Sequence, residues 1–221
     1  MEELSPTARL PADVEAASQD ASRRWGPYVI LSELGRGANG VVNLAYDLRL
    51  HRKVALKTLL EMSPVQFERF AREARAAAKL EHAGIVRVLD LALLNGRPYM
   101  AMEVVEGRSL RSCFREQSLR TRELVSILRD VAEALGHAHG QGIVHRDVKP
   151  GNIFVDSTGR GKIMDFGVAR DADGEEKLTT TGQTLGTPEY MSPEQASDPR
   201  SVSPQSDVYS VGAVLFEGLT G

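Results

Sequence analysis

The chain has only one cysteine, Cys113, so no disulfide bond can form within its 221 residues. It also lacks an excess of basic residues, since 27 lysines and arginines stand against 30 aspartates and glutamates. Binding to nucleic acid through bulk charge is therefore not expected. No apolar run is long enough to span a bilayer, and the acidic N-terminus lacks the pattern of a signal peptide. We expect no membrane contact from this segment and a cytoplasmic location, although a longer parent chain could carry an anchor.

Large apolar side chains are also scarce before Tyr28. A segment of this composition buries too little surface to offset the entropy lost on ordering. We therefore predict a flexible arm over residues 1–27, in which residues 14–22 could form a short helix. The remainder has the composition of a globular protein, with 42% hydrophobic and 26% charged residues in the whole chain. Cys113 is expected to be a small, packed residue.

The most informative stretch is the sequence HRDVKPGN at residues 145–152. It is too polar and too rich in proline and glycine to be a helix, so we interpret it as a loop. In this loop Asp147 could accept a proton from a hydroxyl, and Lys149 could neutralise a phosphoryl oxygen. Asn152 offers a neutral oxygen suited to Mg²⁺. A second possible metal ligand, Asp165, follows a short apolar run that predicts a strand.

A glycine-rich stretch, LGRGANGVV, occupies residues 34–42. The pattern GxGxxG occurs in dinucleotide-binding folds, where the third glycine opens a helix. Here Gly40 precedes Val41 and Val42, and such β-branched residues favour a second strand with the glycines at a hairpin tip. Glycines there would let backbone N–H groups approach a phosphate. On this stretch alone, a purely structural hairpin remains an alternative.

Lys57 ends the apolar strand that begins at Val54 and could reach bound phosphates as a point charge. A helix is predicted from Ser63, and Glu73 lies on or beside its apolar face. A carboxylate there needs a partner. Lys57 is one candidate. Neighbouring arginines are the other, and the spacing does not decide between them.

The rest of the chain alternates between predicted strands and helices. Strands are predicted at residues 85–89 and 99–104, followed by a hinge at 103–107. Apolar residues at helical spacing predict a helix from Thr121 to about Gly140, and a mostly apolar helix at 206–217. Between Asp165 and Ser192 the sequence is polar. A phosphate on Thr179 or Thr181 could be bound there by Arg146.

Seven motifs occur in the order known from one family: the glycine-rich hairpin, the strand ending in Lys57, Glu73, HRDVKPGN, Asp165-Phe166-Gly167, Ser192-Pro193-Glu194, and Asp207. Together they resemble the protein kinase family. Lys149 and Gly186-Thr187 resemble its serine/threonine branch, and the sequences KPGN and SPEQA are similar to eukaryotic-type kinases of bacteria.

The resemblance implies an α+β, two-lobed fold. Residues 28–103 would form a small antiparallel β-sheet lobe with one helix, and residues 108–221 a mainly helical lobe that lacks its last helices. The resemblance further implies transfer of the γ-phosphoryl group of ATP to Ser or Thr hydroxyls of protein substrates, with Mg²⁺ or Mn²⁺. Asp207 would anchor the loop, and His145 would be a packed structural residue.

Site residues carry over from the family motifs by position. Catalysis would involve Asp147, Lys149, Lys57 and Glu73, and the metal would be held by Asn152 and Asp165. The nucleotide would lie against Leu34, Gly35, Arg36, Gly37, Ala38, Asn39, Gly40, Val41, Val42, Ala55, Lys57, Met102, Glu103 and Val105.

The chain stops at Gly221, directly after the helix that begins near Asp207, whereas the family continues. We expect an exposed apolar face on this helix and no arginine partner for Glu194. An alternative function is therefore an ATP-binding but inactive kinase-like fragment that acts as an interaction module. The protein substrate, the activating signal and the oligomeric state do not follow from the sequence.

Overall fold

The structure is a computed structural model that describes residues 10–37, 40–59, 67–68, 71, 74–75, 77–166, 188–198 and 201–221. It divides into two compact units, Met1–Pro64 with Val88–Val104, and Val65–Arg87 with Val105–Gly221. The division at Val104 falls within the stretch 103–107 that the sequence predicts as a hinge. Five predicted site residues lie outside the described residues: Ala38, Asn39, Glu73, Thr179 and Thr181.

The first unit contains a six-stranded antiparallel sheet with the strand order β1-β2-β3-β4-β6-β5. Its strands are β1 Arg24–Trp25, β2 Tyr28–Gly37, β3 Gly40–Asp47, β4 Arg52–Leu59, β5 Val88–Leu94 and β6 Arg97–Met102. Apolar side chains of one face form its core, among them Val54, Leu56 and Tyr99. The α+β fold class and the antiparallel sheet are thus confirmed.

Regular structure begins earlier than the sequence predicts. A helix, α1, spans Ala12–Ser18 and is followed by a 3₁₀ turn at Ala21–Arg23. Val14 and Ala17 on α1 are buried, and the Asp20 carboxylate caps the 3₁₀ turn by accepting from the Ser22 amide. Two small apolar residues are therefore enough to hold part of the predicted arm in place. The short helix considered at residues 14–22 is thus present, but it begins at Ala12 and ends at Ser18.

The second unit is built on a long helix. Its elements are β7 Gly107–Ser109, α2 Leu110–Arg115, α3 Thr121–Gly140, β8 Ile153–Asp156, β9 Gly161–Ile163, α4 Pro193–Ser197 and α5 Pro204–Thr220. The apolar face of α3 packs into a core with Leu110, Ile153, Ile163 and Val214. The predicted helix from Thr121 to Gly140 is confirmed. No helix in the described part of the chain is long and apolar enough to cross a membrane.

The strand predicted at residues 85–89 is misplaced. Ile85 forms only an isolated parallel bridge with Ile163, while the strand itself begins at Val88. The amide of Val86 donates to the Ile163 carbonyl, and the Ile163 amide donates to the Gly84 carbonyl. These bonds tie residues 84–86 to β9, so they belong to the second unit together with the helical positions Ala74 and Ala77. The helix that we predicted for the small lobe is thus grouped with the larger unit.

Helix α5 has two different faces. The buried face carries Ser206, Asp207, Ser210 and Val214. The other face has four apolar residues that are 49–70% exposed: Val208, Tyr209, Phe216 and Leu219. The predicted exposed apolar face is confirmed. Helix α5 packs closely against the rest of the unit at Gly218, where a Cβ atom would come within 2.5 Å of Leu124 and 2.8 Å of Phe114.

Candidate active site

A loop of the second unit, residues 143–152, carries two of the four predicted catalytic residues, Asp147 and Lys149, and the predicted metal ligand Asn152. It starts where α3 ends in a Schellman motif. Gly142 has a φ of 75°. Its amide donates to the His139 carbonyl and the Ile143 amide donates to the Ala138 carbonyl. A glycine is required at this position because other residues rarely adopt such a backbone conformation. The helix end therefore fixes the direction in which the loop departs.

Asp207, in the first turn of α5, anchors this loop. Its carboxylate accepts from the backbone amides of His145 at 2.8 Å and Arg146 at 2.9 Å. A third donor is the His139 ring, whose Nε2 lies 2.7 Å from the same carboxylate. Asp207 is 1% exposed, so these bonds are shielded from water. The expectation that Asp207 anchors the loop is confirmed.

His145 is a packed structural residue, as expected, because it is fully buried and its ring lies 4.6 Å from that of Phe166. Burial lowers its pKa, which keeps the imidazole neutral near pH 7. Nδ1 accepts from the Asp147 amide at 3.2 Å, so Nε2 carries the proton and donates to the Met164 carbonyl at 3.0 Å. The ring thereby links the loop to the chain segment that carries Asp165.

Two predicted site residues, Lys149 and Asn152, contact Asp147 through their side chains. The Lys149 ammonium lies 2.7 Å from the Asp147 carboxylate. The Asn152 amide group donates to the Asp147 carbonyl at 2.8 Å and to its carboxylate at 3.1 Å. The side chains of Asp147 and Lys149 remain about one-fifth exposed, so the carboxylate is accessible from the surface.

Asp165 lies two residues after the end of β9, and backbone pairing brings this part of the chain next to Asn152. Ile153 pairs with Ile163 in the β8–β9 ladder, and the Met164 amide donates to the Asn152 carbonyl at 2.9 Å. Asp165 has a φ of 56°, a left-handed conformation that is uncommon outside glycine. Two predicted metal ligands therefore lie at the end of one small sheet.

The donor set at this sheet end suits a hard divalent cation. The Asn152 NH₂ group is committed to Asp147, which leaves the amide oxygen as the atom for a cation. Within the described residues, no group of three or more His, Cys, Asp or Glu side chains could hold a metal ion. A carboxylate and an amide oxygen, completed by phosphate oxygens and water, are the usual ligands of Mg²⁺ that is bound with a nucleotide.

The predicted nucleotide-binding residues of the first unit lie along β2, β3, β4 and β6. Strand β2 is irregular between Ile30 and Ser32 and again between Glu33 and Gly35, at the base of the glycine-rich hairpin. A Cβ atom added at Gly35 or Gly37 would meet nothing within 4 Å. The hairpin backbone is therefore accessible from outside, which a phosphate-binding role requires.

The remaining predicted residues pair across neighbouring strands of the same sheet. Val42 lies opposite Lys57 in the β3–β4 ladder, and Ala55 lies opposite Met102 in the β4–β6 ladder. Other members of the predicted set are exposed or partly buried: Leu34, Arg36, Gly40, Val41, Glu103 and Val105. Arg36 forms an ion pair with Glu33 at 2.7 Å. The predicted residues on β2, β3, β4 and β6 thus share one sheet, while Glu103 and Val105 follow β6 outside regular structure.

Two side chains that hold the loop, Gln195 directly and His139 through Asp207, were not singled out as site residues. His139 is the third donor to Asp207, and Gln195 on α4 donates from Nε2 to the Arg146 carbonyl at 2.7 Å. Neither is marked by spacing or composition, because both act through contacts between distant parts of the chain. Glu194 accepts from the Ser206 hydroxyl at 2.7 Å, so this carboxylate has a hydroxyl partner in place of the arginine that the family supplies.

The family model described as the protein kinase domain matches residues 28–221. The chain is 45% identical over 197 residues to the serine/threonine-protein kinase PknB of Mycobacterium tuberculosis, which covers 85% of this chain and 31% of PknB. It is 40% identical over 215 residues to the serine/threonine-protein kinase Pkn1 of Myxococcus xanthus, covering 94% of this chain and 31% of Pkn1. The chain thus spans about a third of the length of these relatives.

Among solved structures, the kinase domain of PknI from Mycobacterium tuberculosis matches with a TM-score of 0.71 and 27% identity. The match covers 87% of this chain and 73% of the PknI chain. The chain belongs to the protein kinase family. Its relatives by sequence are serine/threonine-protein kinases of bacteria, which confirms the resemblance found in the motifs.

Proposed function

We propose that this chain is a catalytic domain that transfers the γ-phosphoryl group of ATP to Ser or Thr hydroxyls of protein substrates. The observation that carries the proposal is the convergence of Lys149 and Asn152 on the partly exposed carboxylate of Asp147. A carboxylate held in this way can orient a hydroxyl and take its proton. Support also comes from the serine/threonine-protein kinases among the relatives.

In the proposed mechanism, Asp147 binds the substrate hydroxyl and accepts its proton as the hydroxyl oxygen bonds to the γ phosphorus. The bond from that phosphorus to the β–γ bridging oxygen breaks, and ADP leaves. Lys149 is 2.7 Å from that carboxylate and would balance negative charge on the transferring group. Mg²⁺ or Mn²⁺, when bound, neutralises the phosphates. Asn152 and Asp165 are the residues that would hold it. Catalysis then rests on positioning and electrostatics rather than on covalent chemistry of the protein.

Lys57 is proposed to bind the phosphates of ATP from the first unit, with Glu73 as its partner. The glycine-rich hairpin would contribute backbone N–H groups, since Gly35 and Gly37 leave open space for a phosphate. Ala55 and Met102, which are paired neighbours, would contact the adenine together with Val42. Backbone groups of Glu103 and Val105 would bind the edge of the base.

The decisive test is Asp147→Asn, which keeps the size of the side chain and removes the base. We expect phosphotransfer to a generic basic protein to fall by about 10²–10⁴-fold. Thermal stabilisation by ATP and Mg²⁺ should be retained, because the base does not contact the nucleotide. Asp13→Asn, which changes an exposed carboxylate of α1, is the matched control and should leave the rate unchanged.

Two results would contradict the proposal. One is an Asp147→Asn variant that transfers phosphate at the rate of the unmodified chain. The other is an unmodified chain that ATP and Mg²⁺ stabilise without any transfer. The second result would favour the alternative function, an ATP-binding interaction module.

Regulation is proposed to act through Thr179 or Thr181. A phosphate on either residue would add close to two negative charges and could pair with the Arg146 guanidinium. Arg146 suits this role because its backbone is already fixed by Asp207. Mass spectrometry of active protein should find one of the two threonines modified, and Arg146→Gln should abolish any activation by that modification. Active protein with both threonines unmodified would exclude this mechanism.

A further inference from the structure

Arg146 has an unusual backbone conformation for its residue type. Its φ is 66°, in the left-handed region that residues other than glycine rarely adopt. Such a conformation costs on the order of 1–3 kcal/mol and persists only where the surroundings hold it in place. Asp147, the proposed base, is the next residue. The backbone conformation of Arg146 therefore determines the position and direction of the Asp147 side chain. The contacts that hold Arg146 are therefore relevant to catalysis.

Four successive peptide groups around Arg146 and Asp147 are each bonded to a buried side chain. The amides of His145 and Arg146 donate to Asp207, which fixes the first two groups. In the third group, the Arg146 carbonyl accepts from Gln195. In the fourth, the Asp147 carbonyl accepts from Asn152 at 2.8 Å. All the side chains that make these bonds are buried: Asp207, Gln195 and Asn152.

The third of these peptide groups differs from the others because two side chains bind it from opposite ends. Gln195 donates to its carbonyl at 2.7 Å, while His145 Nδ1 accepts from its N–H, the amide of Asp147, at 3.2 Å. A rotation of this peptide would break both bonds and turn the Asp147 side chain. The shorter of the two bonds is the one from Gln195.

Gln195 is itself held rigidly on α4. Its backbone N–H donates to the hydroxyl of Ser192, the buried residue that caps the helix. The adjacent Glu194 accepts from Ser206 on α5, and Ser210 on the same helix donates to the Tyr190 carbonyl at 2.6 Å. Helix α5 thus holds the segment 188–198 on one side and the loop on the other, through Asp207. The bond from Gln195 to the Arg146 carbonyl connects the segment 188–198 directly to the loop.

We infer that Gln195 is a positioning residue for the proposed phosphotransfer, and that it keeps the Arg146–Asp147 peptide oriented for Asp147 to act. This inference rests on the proposed function and adds a residue whose side chain donates to the main chain of the loop, at the Arg146 carbonyl. Its action is through the backbone alone. Gln195 also couples the segment 188–198 to the loop, so displacement of that segment reaches Asp147 through one hydrogen bond.

The test replaces Gln195 with methionine, which has a similar length but no N–H donor. We expect kcat to fall about tenfold or more, since small misplacements of a reacting group are costly, while KM for ATP stays within about twofold. Hydrogen exchange of the Asp147 amide should become faster. Ser197→Ala is the matched control, because Ser197 is exposed on the same helix and bonds only to the Pro193 carbonyl among its described contacts.

Gln195→Glu provides a second, independent variant. An ionised carboxylate cannot donate to the Arg146 carbonyl, but a protonated one can. The ratio of its kcat to that of Gln195→Met should therefore rise as the pH is lowered from about 8 toward 6. Both variants share the neighbouring charged groups Arg146, Glu194 and Asp207, so the ratio reports the group at position 195. A role in stability alone would not produce this pH profile.

The outcomes separate the inference from the proposed function. If the unmodified chain transfers no phosphate, the proposed function fails, but the exchange of the Asp147 amide still tests the role of Gln195. Unchanged exchange in both Gln195 variants would overturn the inference. So would a kcat that matches the Ser197→Ala control in both variants. If Gln195→Met does not fold, the pH dependence of Gln195→Glu relative to the unmodified chain decides the question.

Discussion

Asp90 in the first unit and Asp207 in the second each accept three hydrogen bonds, yet they hold different parts of the protein. Asp90 accepts from the side chains of Tyr28 at 2.7 Å, Arg49 at 3.0 Å and Tyr99 at 3.3 Å. Asp207 accepts mainly from backbone amides of one loop. The first arrangement joins strands β2, β5 and β6 through side chains. The second fixes the main chain of a loop that no ladder supports.

This difference predicts different consequences of losing the carboxylate. If Asp90 is lost, the half-exposed Arg49 side chain can turn toward water, whereas the buried Tyr28 and Tyr99 hydroxyls lose a partner inside the core. Backbone amides cannot turn toward water without moving the loop, and Asp207 is almost fully buried. We therefore expect Asp90 to contribute chiefly to stability and Asp207 chiefly to catalytic geometry.

The largest expected effect is that of Asp207→Asn. One of the two carboxylate oxygens becomes an NH₂ group, which leaves at least one buried donor facing another donor. We expect phosphotransfer to fall about 10²-fold because the loop shifts, and the free energy of unfolding to fall by about 1–3 kcal/mol. Initial rates and urea unfolding followed by far-UV circular dichroism measure the two effects. A variant that loses stability but keeps its rate would remove the distinction drawn between the two aspartates.

A smaller effect is expected for Asp90→Asn. The free energy of unfolding should fall by about 1.5 kcal/mol, since hydrogen bonds to a charged group are replaced by weaker ones. The rate at saturating ATP should stay unchanged. Trp25 is the only tryptophan in the chain and packs against the core of the first unit, so its fluorescence reports unfolding there. A tenfold loss of rate in this variant would mean that both aspartates position the catalytic loop.

The smallest effect is a pH dependence of the Asp90 contribution. Burial raises the pKa of Asp90, but the hydrogen bonds from Tyr28 and Arg49 outweigh it, so the pKa lies below the usual 3.8. A carboxyl group with a lowered pKa stabilises the fold above its unfolded pKa and loses that effect as the pH falls through the folded pKa. The stability difference between the unmodified chain and Asp90→Asn should therefore be constant from about pH 7 to 5 and shrink below 3.8. Urea unfolding followed by Trp25 fluorescence measures it, and a difference that grows in acid would contradict the assignment.

Local patterns were sufficient to predict much of the fold. The helix from Thr121 follows from apolar spacing, and the strands that carry Gly40 and Lys57 follow from β-branched residues. The strand at residues 85–89 was misplaced because Ile85 and Val86 are buried without belonging to a ladder, and Ile85 forms only an isolated bridge with Ile163. Helix α1 was expected only as a possible short helix at residues 14–22, because Val14 and Ala17 are too few to define its ends. Periodicity indicates burial, but it does not identify what covers a residue.

The candidate site divides in the same way. Asp147, Lys149 and Asn152 lie within six residues, so one loop was enough to predict that they meet. Gln195 and His139 could not be identified because they reach the loop from other elements, and a glutamine in a short helix has no distinctive spacing. Long-range contacts to the backbone depend on the assembled fold, and they determine the geometry that the loop sequence leaves open.

The left-handed conformations of Arg146 and Asp165 have a consequence for protein engineering. Glycine adopts such angles without steric cost, so Arg146→Gly would remove backbone strain in the native state. The same change would free the peptide that precedes Asp147 and would remove a guanidinium proposed to bind phosphate. Searches for thermostable variants that score only melting temperature would therefore select against activity at this position, because the fold gives up stability there to keep a carboxylate in place.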